Sequence, residues 1–324
     1  MSAGYGMKGH IGFAFEASGG VPVAVTDYIE ALSESLTADL DRFQTINIHG
    51  RLSEADDKDG VKRVAGDAVF AAQPDPLGFF LLGTLGVDSV TTVLSGFLHT
   101  HEFTPRTSDW DQRFPQHPFT FEVFRDVGSS QQYTGINMSQ IQLNVAPNQD
   151  LRATVSMIGF DVDPGIAATT PSFVNSPACE LAFDTASLSV AGAANAEYES
   201  FTLTFNNNLE GVPTLNNSTV IRKIRRTDMQ MVRVSADIGF ENITELQNFL
   251  SQSEQAIKLS LTRADSFQVI FDIPRVVWTA HPTGIGGRGR QIVTLDGMGR
   301  FHTGSNNALK ITLTTVKSFY AANS

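Results

Sequence analysis

The chain has 324 residues, 41% hydrophobic and 18% charged, a balance that supplies real cores and excludes a disordered chain. Its formal net charge of -11 excludes a protein that wraps phosphate backbones with Lys and Arg, though not a surface that duplex DNA slides past. A single cysteine, Cys179, excludes an intrachain disulfide and fits a reducing cytosol; no basic-then-apolar leader opens the sequence, and no apolar run offers a membrane span.

In chain order, Arg63–Phe70 (RVAGDAVF) predicts a strand, and Pro74 and Pro76 then open a helix whose Leu77, Phe80 and Leu81 share one face. Phe119–Phe124 (FTFEVF) alternates as a half-buried strand does, and Ile141–Pro147 leads through a polar turn to Arg152–Val155 as a hairpin. Residues 161–177 carry Pro164, Gly165, Pro171 and Pro177 without periodicity. Phe201–Phe205 (FTLTF) is again a half-buried strand, and Arg233–Phe240 (RVSADIGF) another. A second helix starts at Asn242, with Glu245 completing a capping box and Leu246, Phe249 and Leu250 on one face. Val276–Pro282 and Arg290–Val293 predict a hairpin across a Gly-rich turn, and Leu309–Thr314 (LKITLT) a last strand.

The two RV…F strands match at an offset of 170, and flanking residues match at 169: Glu30, Leu40, Thr45 and Asn47 upstream and Leu77, Phe80 and Leu81 downstream, against Glu199, Leu209, Thr214, Asn216, Leu246, Phe249 and Leu250. Such order at near-constant spacing reads as duplication. The expected fold is mainly β: two tandem antiparallel β-sandwich or barrel domains, each with one packed α-helix and a long β-hairpin loop. The expected division is 1–165, a linker over 166–177, and a second unit over 178–324. Both helical stripes are expected to face cores.

No residue set points to catalysis. Gly284–Gly289 fits G-x-G-x-x-G, but β-like sequence follows where a dinucleotide site needs a helix, so it reads as a hairpin turn. Asp57–Gly60 resembles the middle of a calcium loop, yet Ala55 and Gly66 stand where ligands belong. His99 and His101 share a strand face without an evident third ligand, and Cys179 has no adjacent base. The expectation is no catalytic residues, no cofactor and no metal. Two loops stand out instead. Glu54, Asp56, Asp57 and Asp59, with Lys58, sum to -3; Arg222, Lys223, Arg225 and Arg226, with Asp228, sum to +3. They occupy equivalent places in the two halves, and opposed patches steer association and set register, so they are expected to be assembly loops between subunits or rings.

The segment order resembles the phage tail tube protein family over about residues 10–316: Ile11–Glu16, Val21–Ile29, Leu32–Leu36, the polar loop from Asp41 to Lys62, Gly66–Phe70, the helix at 74–82, His101–Pro105, Phe201–Leu209 and Pro274–Val276. The resemblance implies a structural virion protein, not an enzyme, whose homo-oligomeric rings stack into the tail tube of a long-tailed phage. The tube surrounds a tape-measure protein, joins tail terminator and distal tail proteins, and passes double-stranded DNA without specific binding. Such a protein is made in the host cytoplasm, ends in the virion tail and inserts in no membrane. Two units per chain predict a homotrimeric, pseudo-hexameric ring; a homohexamer is the alternative. Competing readings are a tail terminator or secretion-system tube module, and a β-sandwich carbohydrate-binding module, which commonly needs exposed aromatics where the chain has only Trp110 and Trp278, the latter at a strand core position.

Overall fold

Period-two alternation decides the architecture, because it gives most strands one apolar face and one polar face. The computed structural model describes residues 5–45, 56–94, 98–109, 111, 113–173, 180–240, 243–282 and 289–320. The first half contains β1 (His10–Phe15), β2 (Asp27–Ile29), β3 (Ala31–Glu34), β4 (Thr37–Phe43), β5 (Lys58–Ala71), α1 (Pro74–Leu85), β6 (Gly86–Leu94), β7 (Leu98–Pro105), β8 (Phe119–Phe124), β9 (Ser130–Val145), β10 (Arg152–Gly159) and β11 (Asp161–Ile166). The second contains β12 (Ala186–Val190), β13 (Ala193–Ala194), β14 (Tyr198–Asn206), β15 (Leu209–Val212), β16 (Lys223–Arg226), β17 (Met231–Gly239), α2 (Thr244–Leu250), β18 (Gln255–Thr262), β19 (Gln268–Ala280), β20 (Ile292–Gly299) and β21 (Lys310–Thr315). The fold is mainly β with antiparallel sheets, as expected, and no barrel closes within one chain.

The main sheet runs β4–β5–β10–β9–β14–β17–β20–β19, antiparallel at every step. One cross-strand row reads Phe70, Ala153, Leu143, Leu203, Val234, Gly297 and Trp278. Every side chain in it is buried. Removing each of the large ones from water contributes about 1.5–3 kcal/mol. Gly297 is required there, since a Cβ would stand 2.9 Å from the Trp278 ring. The facing layer is β6–β7–β21–β19–β18–β12–β13. β19 belongs to both layers: Gln268–Asp272 pairs with β21 and Val276–Ala280 with β20. β9 likewise turns from the main sheet into a third layer with β2, β1, β8 and β11. One continuous apolar core therefore spans both halves.

The helices differ. Apart from Asp75 in its first turn, α1 (PDPLGFFLLGTL) is buried on every side, as helices apolar nearly all round are. Pro74 stands at its start, and Gly86 ends it in the left-handed region at φ 96°. Leu77, Phe80 and Leu81 are buried as expected. α2 (TELQNFL) lies on the surface: Phe249 packs on the core, but Leu250 is 70% exposed, so the second stripe is not a core stripe. Asn242 lies outside the described residues, and Ile243 occupies the N-cap of α2. A second departure is β8, which alternates in sequence yet is buried on both faces. Its polar residues are satisfied internally: Thr120 donates to Glu16 (2.8 Å), and Glu122 accepts from Ser130 (2.8 Å) and the Thr169 amide (2.9 Å). β11 and Thr169 thus anchor the start of the Pro-rich stretch onto the first half.

Residues 316–320 strap α1 to the facing layer. The Tyr320 ring fills the space over Gly78, where a Cβ would stand 2.0 Å from it, and packs edge-on against Phe79 and His101. Lys317 pairs with Asp27 at 2.5 Å, and its carbonyl accepts from His101 Nε2 (2.9 Å) while Asp88 holds Nδ1 (2.9 Å). Burial alone would lower the His101 pKa, but the bonds to Asp88 and the Lys317 carbonyl leave it raised. A raised folded-state pKa gives stability that is complete below the ordinary histidine range and is lost as pH rises through the folded value. Hence His101→Asn is expected to lower the melting temperature more at pH 6 than at pH 8, read by thermal denaturation at both. Tyr320→Ala removes a buried ring and is expected to destabilise the chain by about 3–5 kcal/mol in urea unfolding.

Candidate assembly surfaces

The uncovered face of the main sheet is built from the polar positions of the same strands. Two neighbouring rows read Val69, Thr154, Gln142, Thr204, Arg233, Met298, Val277 and Ala71, Arg152, Asn144, Thr202, Ser235, Asp296, Ala280. Hydroxyls and amides dominate its centre, with Asn144 donating to Thr202 at 2.7 Å and Asn206 to Gln140 at 3.0 Å. Charge sits toward its sides: Asp39, Asp41, Asp67, Asp237 and Asp296 outnumber Arg63, Arg152 and Arg233. Asp41 is paired with Arg63 (2.9 Å), and Asp237 accepts from Ser200 (2.7 Å) and Thr294 (2.6 Å). The face is polar and slightly acidic.

The acidic set sits at the end of the β4–β5 hairpin. Asp56, Asp57 and Asp59 are exposed; Asp57 accepts from Gln44 at 2.6 Å, and Asp59 stands opposite Arg42. Glu54 lies outside the described residues. The basic set sits on the β15–β16 ribbon, which joins β14 to β17 and folds back over the first half. Ile221 and Ile224 bury against Phe114 and Phe160, whose rings stack at 4.8 Å, with Val61 and Ile158 beside them. Backbone bonds lock the seat: Lys62 N–H to Thr219 (2.8 Å) and Ile224 N–H to Arg113 (3.1 Å).

The structure does not bring the two charged sets into ion pairs within one chain, among the described residues. Arg225 and Arg226 lie 4.0 and 3.8 Å from Asp109 instead. Arg226 also donates to Asn207 (2.8 Å), which is fully buried and donates to the Thr84 carbonyl of α1 (2.7 Å). Burial lowers the Arg226 pKa, with Asp109 opposing. Burial and then the Arg106 charge hold His117 near 4. Arg222 and Lys223 have no side-chain partner among the described residues. The sequence reading missed Asp109, Arg113 and Phe114, which lie in an irregular stretch without periodicity, and Phe160, the single residue between β10 and β11. The polar face was legible one strand at a time, in the Gln, Asn and Thr of the alternating runs.

The other motifs resolve simply. Gly284–Gly289 joins two antiparallel strands, and residues 283–288 lie outside the described residues, as do Cys179 and Trp110. His101 turns inward to Asp88, away from any ligand shared with His99. Trp278 is 2% exposed and donates to Gln255, so it offers no ring to a sugar. Among the described residues no group of three or more His, Cys, Asp or Glu is placed to hold a metal. Among the described residues no helix is long and apolar enough to cross a membrane. No curated protein matches the chain. The sequence model of the family described as phage tail tube protein matches residues 6–299. The matched region includes an antiparallel sheet with one apolar and one polar face that runs through both halves, and the chain belongs to the phage tail tube protein family.

Proposed function

We propose that three copies of this tail tube protein close one pseudo-sixfold ring, that the rings stack into the tube, and that the polar sheet face lines a channel for duplex DNA. The single observation that carries this is the strand order. The first half contributes β4–β5–β10–β9 and the second β14–β17–β20–β19, each a hairpin pair followed by two strands in the same sense. Val64 faces Gly159 and Val234 faces Gly297, a glycine in the same place each time. This repetition favours the division into two units, 1–165 and 178–324, joined over 166–177. The internal joint, β9 to β14, supplies the pattern for a joint between chains, from β19 of one copy to β4 of the next. Both strands have an unpaired outer edge among the described residues, on β19 beyond Val276. Head-to-tail joints of one kind close a ring when their rotation permits.

In that ring the acidic hairpins and basic ribbons alternate. The tube would enclose a tape-measure protein and end on terminator and distal tail proteins. A lining of hydroxyls, amides and excess aspartate gives phosphates nothing to hold, so the genome passes to the host cell without pausing.

Electron microscopy of tubes, with chains counted in end views, tests the stoichiometry. Three per ring is expected; six would remove the second unit from the wall. Lysines at Gln142, Thr202 and Thr204 should leave ring assembly intact and make DNA transit slow and salt-dependent, measured as ejection rate at two ionic strengths. Unchanged ejection would take those positions out of the lumen.

A further inference from the structure

His101 is fully buried, and both of its ring nitrogens face acceptors. Nδ1 lies 3.0 and 2.9 Å from the two carboxylate oxygens of Asp88, and Nε2 lies 2.9 Å from the Lys317 carbonyl. A neutral imidazole has one N–H to donate and can serve only one of these partners; an imidazolium serves both. On a neutral ring the remaining proton belongs on Nδ1, because a bond to a carboxylate is stronger than a bond to a carbonyl. Nε2 then turns a lone pair to the Lys317 oxygen. Two acceptors that face each other in the interior, with no proton between them, lose the bond and gain no water in exchange.

The other charged groups around the ring are committed elsewhere. Asp75 of α1 accepts from Thr315, Asp27 of β2 pairs with the Lys317 amine at 2.5 Å, and Glu102, beside His101 on β7, pairs with Lys310 of β21 at 3.1 Å. His99, on the same strand, stands across from Thr315. Tyr320 is 2% exposed, and its hydroxyl is enclosed without a hydrogen-bond partner among the described residues. Burial first, and then the charges of Asp75, Asp88 and Asp27, push its pKa well up, so Tyr320 stays neutral where a histidine titrates. Ring burial favours the docked strap and the enclosed hydroxyl opposes it, which leaves the balance to the bond from His101.

We propose that residues 316–320 are a proton-latched strap, docked on α1 while His101 is an imidazolium and released once His101 loses a proton. Release frees the Lys317 amine from Asp27 and from the face of the Phe79 ring, 4.5 Å away, and uncovers Gly78 and Phe79 of α1. Asp88 ties docking to pH. An amide in its place can donate to Nδ1, and the neutral ring then keeps its one N–H for the strap.

Trypsin tests this on the full chain before assembly, since a released strap offers the bond after Lys317. The cut is counted by mass spectrometry and divided by that of a free peptide spanning residues 314–320, which removes the enzyme's own pH dependence. The wild-type rate is expected to rise about tenfold between about pH 6.5 and about pH 8.5, where a raised histidine titrates. His101→Asn should be cut fast at both values. Asp88→Asn should be cut slowly at both, which loss of a merely structural contact would not produce. Cleavage after Arg233, inside the main sheet, reports unfolding of the whole chain and should stay absent; if a variant fails that check, the wild-type comparison decides alone. A wild-type rate that is equal at the two pH values, a rise that persists in His101→Asn, or fast cutting of a folded Asp88→Asn chain would overturn the latch.

Discussion

Backbone pairing between β9 and β14 is the constraint on which the rest of the molecule depends. Six consecutive registered positions, Val145 to Gln140 against Phe201 to Asn206, join the sheets of the two halves without a break in face. A slip of one residue there would leave Leu143 in the core and turn Leu203 to solvent and Thr204 to the core, setting the two halves on opposite faces. The apolar row from Phe70 to Trp278 and the polar rows beside it are therefore one decision repeated across the sheet. The facing layer reinforces it, since β21 of the second half pairs with β7 of the first. Two halves that share both layers and one core cannot swing apart, which is what a wall element requires.

The asymmetry between the halves follows from what covers each. The first half carries the additional layer β2–β1–β8–β9–β11, and with it a largely apolar helix can be buried against Phe13, Phe70 and Phe121. In the second half β19 runs from the facing layer into the main sheet, and no such layer intervenes among the described residues. Its helix is accordingly short and polar on one side. The additional stretch also supplies Asp109, Arg113 and Phe114, which seat the ribbon.

Much of this was legible in the sequence because it is local. The alternation of Phe201–Phe205, the hairpin of Ile141–Val155 and the proline-initiated helix at Pro74 each depend on residues within one element. What was not legible is non-local. The β9–β14 joint has no sequence signature, since any two amphipathic strands could have paired. The aligned pairs Leu40 and Leu209 are not equivalent by register: Asp39 stands opposite Arg63 and Thr204 opposite Arg233, so Leu40 faces Lys62 while Leu209 faces Arg226. Opposite loop charge was visible, but its partners were not. An aspartate from neither loop, Asp109, takes Arg225 and Arg226, and only the three-dimensional path of residues 105–114 puts it there. β8 misled for a similar reason, since alternation reports one covered face and cannot report a second cover arriving from residues 166–169.

An open sheet of this width carries a liability at each side. Edge strands with free N–H and C=O groups template further pairing, and monomeric proteins blunt them with charge, bulges or covering loops. β4 is partly blunted: Asp39, Asp41 and Arg42 are exposed along it, and its register shifts between Leu40 and Arg42. Yet Phe43 is exposed at its end, and on the opposite side β19 continues beyond its last pairing with β18. These are the features of edges that charge protects from random association while leaving open to one complementary partner. Because the two edges of one chain differ, two identical edges have no reason to meet, and growth must run head to tail. A head-to-tail joint that repeats the twist of β9 against β14 turns each chain by the same angle as the last. In the ring proposed above, closure would remove both edges at once, so the same property that makes the isolated sheet adhesive would make the ring inert.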